Sequence, residues 1–347
     1  MFLHSTRNPE HRVSLSDAIA QGIAPDGGLY VPDELPKFSP EDFAGLTELS
    51  EVAVKLISPF AAGDALAPVL KDICRDAFNF PAPLVTLNGT PGPASVLELF
   101  HGPTSAFKDF GARFLAASME RIRKQQAKQR KLTILVATSG DTGGAVAAAF
   151  HRRPWVEVAV LYPTGLVSQR QAQQLSCWGD NVRTFSVHGN FDACQRMVKE
   201  AFADPALAQT HDLSSANSIN IGRLLPQMVY YAHSALTLWR ATGKPANYII
   251  PSGNLGNAMA CIWARAMGLP IGEVVLATNA NRTIPDFLSE GEWRPRQSLA
   301  TLASAMDVGN PSNMERLRAL YSFEDILKQI TAISISDEAI KARIKHD

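Results

Sequence analysis

At 347 residues, with 46% hydrophobic and 19% charged side chains, the chain is long enough for two or three domains around sizeable cores. Lys plus Arg and Asp plus Glu are 33 each, so no net field draws nucleic acid or an anionic membrane surface, and no window has the roughly eighteen apolar residues of a membrane span. The four cysteines, Cys74, Cys177, Cys194 and Cys261, are scattered without a CxxC pair, which argues against a zinc ribbon or a disulfide framework. With no apolar leader run in MFLHSTRNPEHRVS, a cytoplasmic protein is expected.

In chain order, residues 1–13 read as irregular. Ser14 offers a helix start, and the turn in APDGGLYVP, 24–32, feeds a short strand. Residues 39–78 read as helical, with Val52, Leu56 and Ile57 on one face and a second run from Ala65 through Leu70 and Ile73. Pro81 and Pro83 close this mostly helical N-terminal domain near 80–95. Residues 94–99 read as a buried strand and 106–126 as a long helix, with apolar positions at Phe107, Phe110, Phe114, Leu115 and Ile122. The basic run Arg121 to Lys131 lacks interleaved aromatics for base stacking and reads as the solvated end of that helix.

From Leu132 the pattern becomes strand, glycine loop, helix. LTILVA, 132–137, suits a parallel strand covered on both faces, followed by the loop 138–144 and a small-residue helix from Ala145. Strands follow at 156–161 and 182–187 and a helix at 191–202. The pattern returns as strand 248–250, loop 251–257 and helix 258–267, with further strands at 273–277 and 330–335 and a charged helix from Asp337. Such alternation predicts parallel α/β sheets whose ligands gather at the carboxyl ends of strands, where both glycine loops lie.

Three loops and one lysine carry chemistry. Lys108 falls in the first turn of the 106–126 helix, where the positive end of the macrodipole disfavours a second positive charge. A lysine so placed is expected to lose its proton more easily, and a neutral amine attacks an aldehyde to form a Schiff base. Read alone, it is more readily a surface lysine beside Asp109, and the two glycine-rich loops downstream overturn that reading. Ser252–Asn257, SGNLGN, ends a strand and opens a helix, presenting backbone N–H groups to an anion the size of a phosphate monoester, although a plain left-handed turn uses the same residues. Thr138, Ser139 and Thr142 suit a carboxylate, and Asp141 among them suits a hydroxyl or a protonated nitrogen, or a helix cap. Asn217, Ser218, Asn220 and Arg223 are a third set of donors, with an arginine fork matched to phosphate oxygens. Together they point to pyridoxal phosphate acting on a phosphorylated amino acid. No HExxH, His/Cys ligand spacing or GxSxG supports a metal site or a hydrolase.

In order along residues 24–317, the stretches APDGGLYVP, FHGPTSAFKDFG, ATSGDTGGAV, SANSINIGR, PSGNLGNAMA, ATNANRTIPDF and SAMDVGNPSNMERL closely resemble threonine synthase, a pyridoxal-phosphate enzyme family of the tryptophan-synthase-β fold type. The resemblance implies two parallel-sheet α/β domains with the cofactor between them, plus an N-terminal mostly helical domain: 1–95, then 96–129 with 241–347, and 130–240. It implies that Lys108 carries the cofactor, that the Gly253, Asn254, Leu255, Gly256 and Asn257 amides hold its phosphate, and that Asp141 lies near its ring hydroxyl. Thr138, Ser139 and Thr142 would bind the substrate carboxylate, with Asn217, Ser218 and Arg223 near the substrate phosphate. The implied reaction turns O-phospho-L-homoserine and water into L-threonine and phosphate, in a monomer or homodimer. Family members usually continue past this length with a segment that reaches the pyridine nitrogen, so a chain ending at Asp347 is either truncated, with looser cofactor binding and lost turnover expected, or naturally short. Two other readings share the motifs: a phospho-lyase or hydroxyamino-acid dehydratase that stops before water addition, and a ligand-binding protein without chemistry, which has no need of Lys108.

Overall fold

The computed structural model describes residues 1–89, 92–126 and 130–346. Two of its sheets are parallel, as the alternating pattern predicts. One has the spatial order Val182–Val187, Val156–Pro163, Leu132–Ala137, Asp212–Ser215. Leu132–Ala137 runs through its middle, with Ile134 and Val136 fully buried because helices cover the sheet. The other joins Ala246–Pro251, Ile271–Thr278 and Thr331–Ser334.

The chain divides into two compact units: Met1–Asp33 with Gly45–Ser234, and Glu34–Ala44 with Ala235–Asp347. Helix Lys108–Gln125, expected with the C-terminal sheet, packs on helices Leu15–Gln21, Leu70–Ala77, Asp141–Phe150 and Ile221–Leu224. The strap 34–44, expected with the N-terminal domain, is tied within the second unit. Phe38 N donates to Met267 O at 2.7 Å, Lys37 Nζ to Ala266 O at 2.6 Å, and Arg240 to Phe43 O at 2.7 Å.

Two expectations are corrected. Residues 1–13 are not irregular: Leu3–Ser5 pairs antiparallel with both Arg12–Val13 and Tyr30–Pro32. Strands of two or three residues carry too little periodicity to be read. Ala94–Leu97 is a strand, but an exposed one, paired antiparallel with Leu84–Leu87 and leaving Val85 and Val96 each 41% accessible. An apolar run does not reveal whether a partner sheet covers it. The basic run ends the helix in solvent as expected, with Lys124, Gln125, Gln126, Arg130 and Lys131 exposed, and Arg123 is its one buried cation among the described residues. Arg123 is 9% exposed and donates to Asp212 Oδ2 at 2.6 Å, while residues 127–129 lie outside the described ones.

Helices Leu15–Gln21, Leu49–Ile57 and Leu70–Ala77 occupy the N-terminal helical stretches, the first capped by Ser14 Oγ, which accepts from Asp17 N at 3.2 Å. Cys74, Cys194 and Cys261 are buried and Cys177 is exposed, all as free thiols. Burial pushes the Cys74 thiol up to about 12 and raises those of Cys194 and Cys261 as well. Among the described residues no helix is long and apolar enough to cross a membrane.

Candidate active site

Lys108 opens helix Lys108–Gln125. Two residues on, Phe110 is fully buried against Phe80 and Tyr230, with ring centroids 4.6 and 5.2 Å away, which fixes the helix start. Asp109, the neighbour on which the surface reading of Lys108 depends, is turned inward and only 1% exposed. Its carboxylate accepts from Thr104 N at 2.9 Å and Thr104 Oγ1 at 2.7 Å, pinning the incoming loop. Burial raises the Asp109 carboxyl in spite of those bonds. Ser105, in the same loop, is held at φ 55, a conformation that costs a non-glycine residue roughly 1–2 kcal/mol.

The Lys108 side chain is 13% exposed, and its Nζ lies 3.0 Å from Asp141 Oδ2 and 4.5 Å from the Phe107 ring centre. Helix Lys108–Gln125 delivers the amine by packing on helix Asp141–Phe150, whose first residue is that aspartate. Burial alone would raise the Asp141 carboxyl. The Lys108 charge and a hydrogen bond from Gln171 Nε2 at 3.0 Å outweigh it and hold the group below the usual carboxylate range. Gln171 is the residue that sequence reasoning missed. Its signal was present, since Ser168 and Gln171 form the S-x-x-Q box that starts helix Gln169–Ser176.

The loop at the carboxyl end of Leu132–Ala137 sorts the three hydroxyls into two kinds. Thr138 is 1% exposed and its Oγ1 is spent within the loop, accepting from Gly140 N at 3.0 Å and Gly143 N at 2.9 Å and donating to Gly140 O. It shapes the turn, with its hydroxyl occupied inside the loop. Ser139 and Thr142 are half-buried, and among the described residues their hydroxyls have no partner. Because Leu135 pairs with Ser215 in parallel register, the loop that follows Asp212–Ser215 leaves the same sheet edge.

On that second loop Asn217 Oδ1 is buried without a partner, and Ser218 is half-buried. Asn220 is fully buried, donating to Ile19 O at 3.0 Å and capping Gly222 N at 2.9 Å. Arg223, expected at a phosphate, is 2% exposed and donates to Ala216 O at 2.5 Å, with Nε enclosed and unpaired. Desolvation pulls its guanidinium down to about 10, with the Asp109 charge opposing. It stands behind the loop and does not reach an open surface.

In the second unit, Ser252–Asn257 follows strand Ala246–Pro251 and opens helix Gly256–Ala266. Leu255 takes the left-handed conformation at φ 64. Among the described residues no acceptor takes the N–H groups of Gly253, Asn254, Leu255 or Gly256, although Gly253, Leu255 and Gly256 are buried. Asn254 is gripped from behind. Its carbonyl accepts from Asn313 N at 3.2 Å and Asn313 Nδ2 at 3.0 Å. Arg316, fully buried, donates to Asn313 Oδ1 at 2.5 Å, and desolvation pulls its guanidinium down to about 9. Asn257 is half-buried at the head of the same helix.

Orphaned buried donors at a helix start, backed by a buried cation, fit a phosphate ester. A shielded lysine amine beside a carboxylate fits an aldehyde. Taken singly, each set suits one functional group of pyridoxal phosphate, the ester or the aldehyde.

Known proteins agree with that chemistry. A family profile described as "Pyridoxal-phosphate dependent enzyme" matches residues 78–346, and one described as "Threonine synthase N terminus" matches residues 3–78. Threonine synthase of Escherichia coli (strain K12) is 40% identical over 348 residues, spanning 99% of this chain and 80% of that protein. The structure of PLP-bound threonine synthase from Brucella melitensis superposes with a TM-score of 0.87 at 35% identity, covering 97% of this chain and 78% of that one. The yeast threonine synthase structure gives a TM-score of 0.88 at 32% identity, covering 97% and 77%. With both profiles matched along nearly the whole chain and close relatives at this identity, the chain belongs to the threonine synthase family of pyridoxal-phosphate-dependent enzymes.

Proposed function

We propose that the chain converts O-phospho-L-homoserine and water to L-threonine and phosphate, in the cytoplasm, as a monomer or homodimer. The observation that carries the reading is the Lys108 amine, shielded at a helix start and held 3.0 Å from Asp141. Four free cysteines fit a reducing compartment.

When bound, pyridoxal phosphate supplies an aldehyde for an amine and a ring that takes up the electron pair left behind by a departing proton. Lys108 would hold it covalently and, once the substrate amine has displaced it, the freed Lys108 amine would take the substrate's α proton. Asp141 keeps that amine in place and balances its charge. The N–H groups of Gly253, Asn254, Leu255, Gly256 and Asn257 would hold the cofactor phosphate on preorganised dipoles, which need no rearrangement as charge develops. The Ser139 and Thr142 hydroxyls take the substrate carboxylate, on a turn kept in shape by Thr138. Asn217 and Ser218 face the substrate phosphate, with the buried Arg223 cation behind them.

Borohydride reduction of the chain in the presence of pyridoxal phosphate, followed by peptide mapping, tests the assignment. The cofactor is expected on the peptide containing Lys108, and a label elsewhere overturns it. Incubation with O-phospho-L-homoserine then separates the products. Threonine with an equal amount of phosphate is expected, whereas 2-oxobutyrate would mark the dehydratase reading.

A further inference from the structure

The two oxygens of Asp141 are used differently. Oδ2 meets Lys108 Nζ and Oδ1 accepts from Gln171 Nε2, each at 3.0 Å. Gln171 has little freedom to leave. Its Oε1 accepts from Ser168 N at 3.0 Å and its own N–H donates to Ser168 Oγ at 3.2 Å, a reciprocal cap at the start of helix Gln169–Ser176. On the other side lies Gly140, at φ 142, and its missing Cβ would fall directly on the Gln171 amide. The glutamine amide is thus clamped between a helix start and a glycine, with one end satisfied by backbone and the other aimed at the carboxylate.

We propose that Gln171 is a positioning residue for Lys108, fixing Asp141 by one oxygen so that the other stays on the lysine amine. The inference rests on the reading of Lys108 as the cofactor-bearing lysine. An amide suits this task where a charged donor does not. Lysine or arginine at 171 would orient the carboxylate but cancel its charge, whereas a neutral donor leaves the whole charge facing Lys108.

Acylation of the chain without added cofactor tests the coupling, because a carboxylate held on the amine blunts its attack and one that turns away does not, and the rate at Lys108 is read by peptide mapping. At pH 8, Gln171→Leu frees Asp141 to turn away, and Lys108 is expected to react at least threefold faster. Gln171→Glu adds negative charge beside the amine, and Lys108 is expected to react at least threefold more slowly. Ser168→Ala weakens the helix cap and leaves the Nε2 bond. It is expected to lower Tm with the Lys108 rate unchanged. A merely structural glutamine would move the first two variants in the same direction. Rates within twofold of the parent in both, or shifted together, overturn the proposal. If Gln171→Leu does not fold, Gln171→Glu decides alone: slower acylation supports the role, and an unchanged or faster rate overturns it. None of these readings needs the cofactor, so failure here is separate from failure of borohydride mapping at Lys108.

Discussion

Asp141 has a carboxylate held below its ordinary range, so its ionised form is favoured by the fold. The stability it contributes is complete above the unfolded aspartate value, about 3.9, and is lost as pH falls through the lower folded value. The Asp141→Asn variant should therefore melt below the parent at pH 6–7, and the gap should close as the pH drops below about 4. Thermal melts across that range check the sign. A gap that widens in acid would remove Asp141 from the ion pair. Several residue roles could not be read from residue type. Thr138, Ser139 and Thr142 look equivalent in the sequence, and only the bonds of Thr138 to Gly140 and Gly143 separate the hydroxyl that builds the turn from the two left open. Arg223 resembles a phosphate ligand by type, but its burial depends on neighbours more than a hundred residues away, such as Gly111, where an added Cβ would sit 2.8 Å from the Arg223 carbonyl.

At the level of elements, the strand, glycine-loop, helix units were legible because each signal is local. Leu132–Ala137 was placed to the residue, and Gly256–Ala266 to within two. What escaped was either too short, such as Arg12–Val13, or dependent on distant pairing, such as the grip of Asn313 on Asn254. That grip fixes the Asn254 carbonyl, and the same turn gives a test. A Cβ at Gly253 would stand 3.1 Å from Val308 Cγ2 and 3.2 Å from the Met306 backbone, so the turn must shift. Gly253→Ala should raise the Kd for pyridoxal phosphate about tenfold, roughly 1.4 kcal/mol, in an equilibrium titration. An unchanged Kd would show that the turn does not hold the cofactor.

For the molecule as a whole, any ligand that binds only the folded chain stabilises it by mass action. Pyridoxal phosphate at a hundred times its Kd should add about 2.7 kcal/mol, which for a chain of this length is a rise in Tm of about 4 °C. Lys108→Ala should lose most of that rise in a thermal-shift titration. A full rise in that variant would show that binding does not depend on the lysine. The balance of 33 acidic and 33 basic residues adds no long-range attraction for an anionic cofactor, so the proposed capture falls to local donors such as Gly253 to Gly256.

The distribution of thiols has a practical consequence. Cys74, Cys194 and Cys261 are enclosed and reluctant to ionise, while Cys177 lies open immediately after the helix that carries Gln171. A maleimide fluorophore applied near neutrality would thus attach at one place, giving a native reporter of how that segment shifts when a small molecule arrives, with no engineered handle.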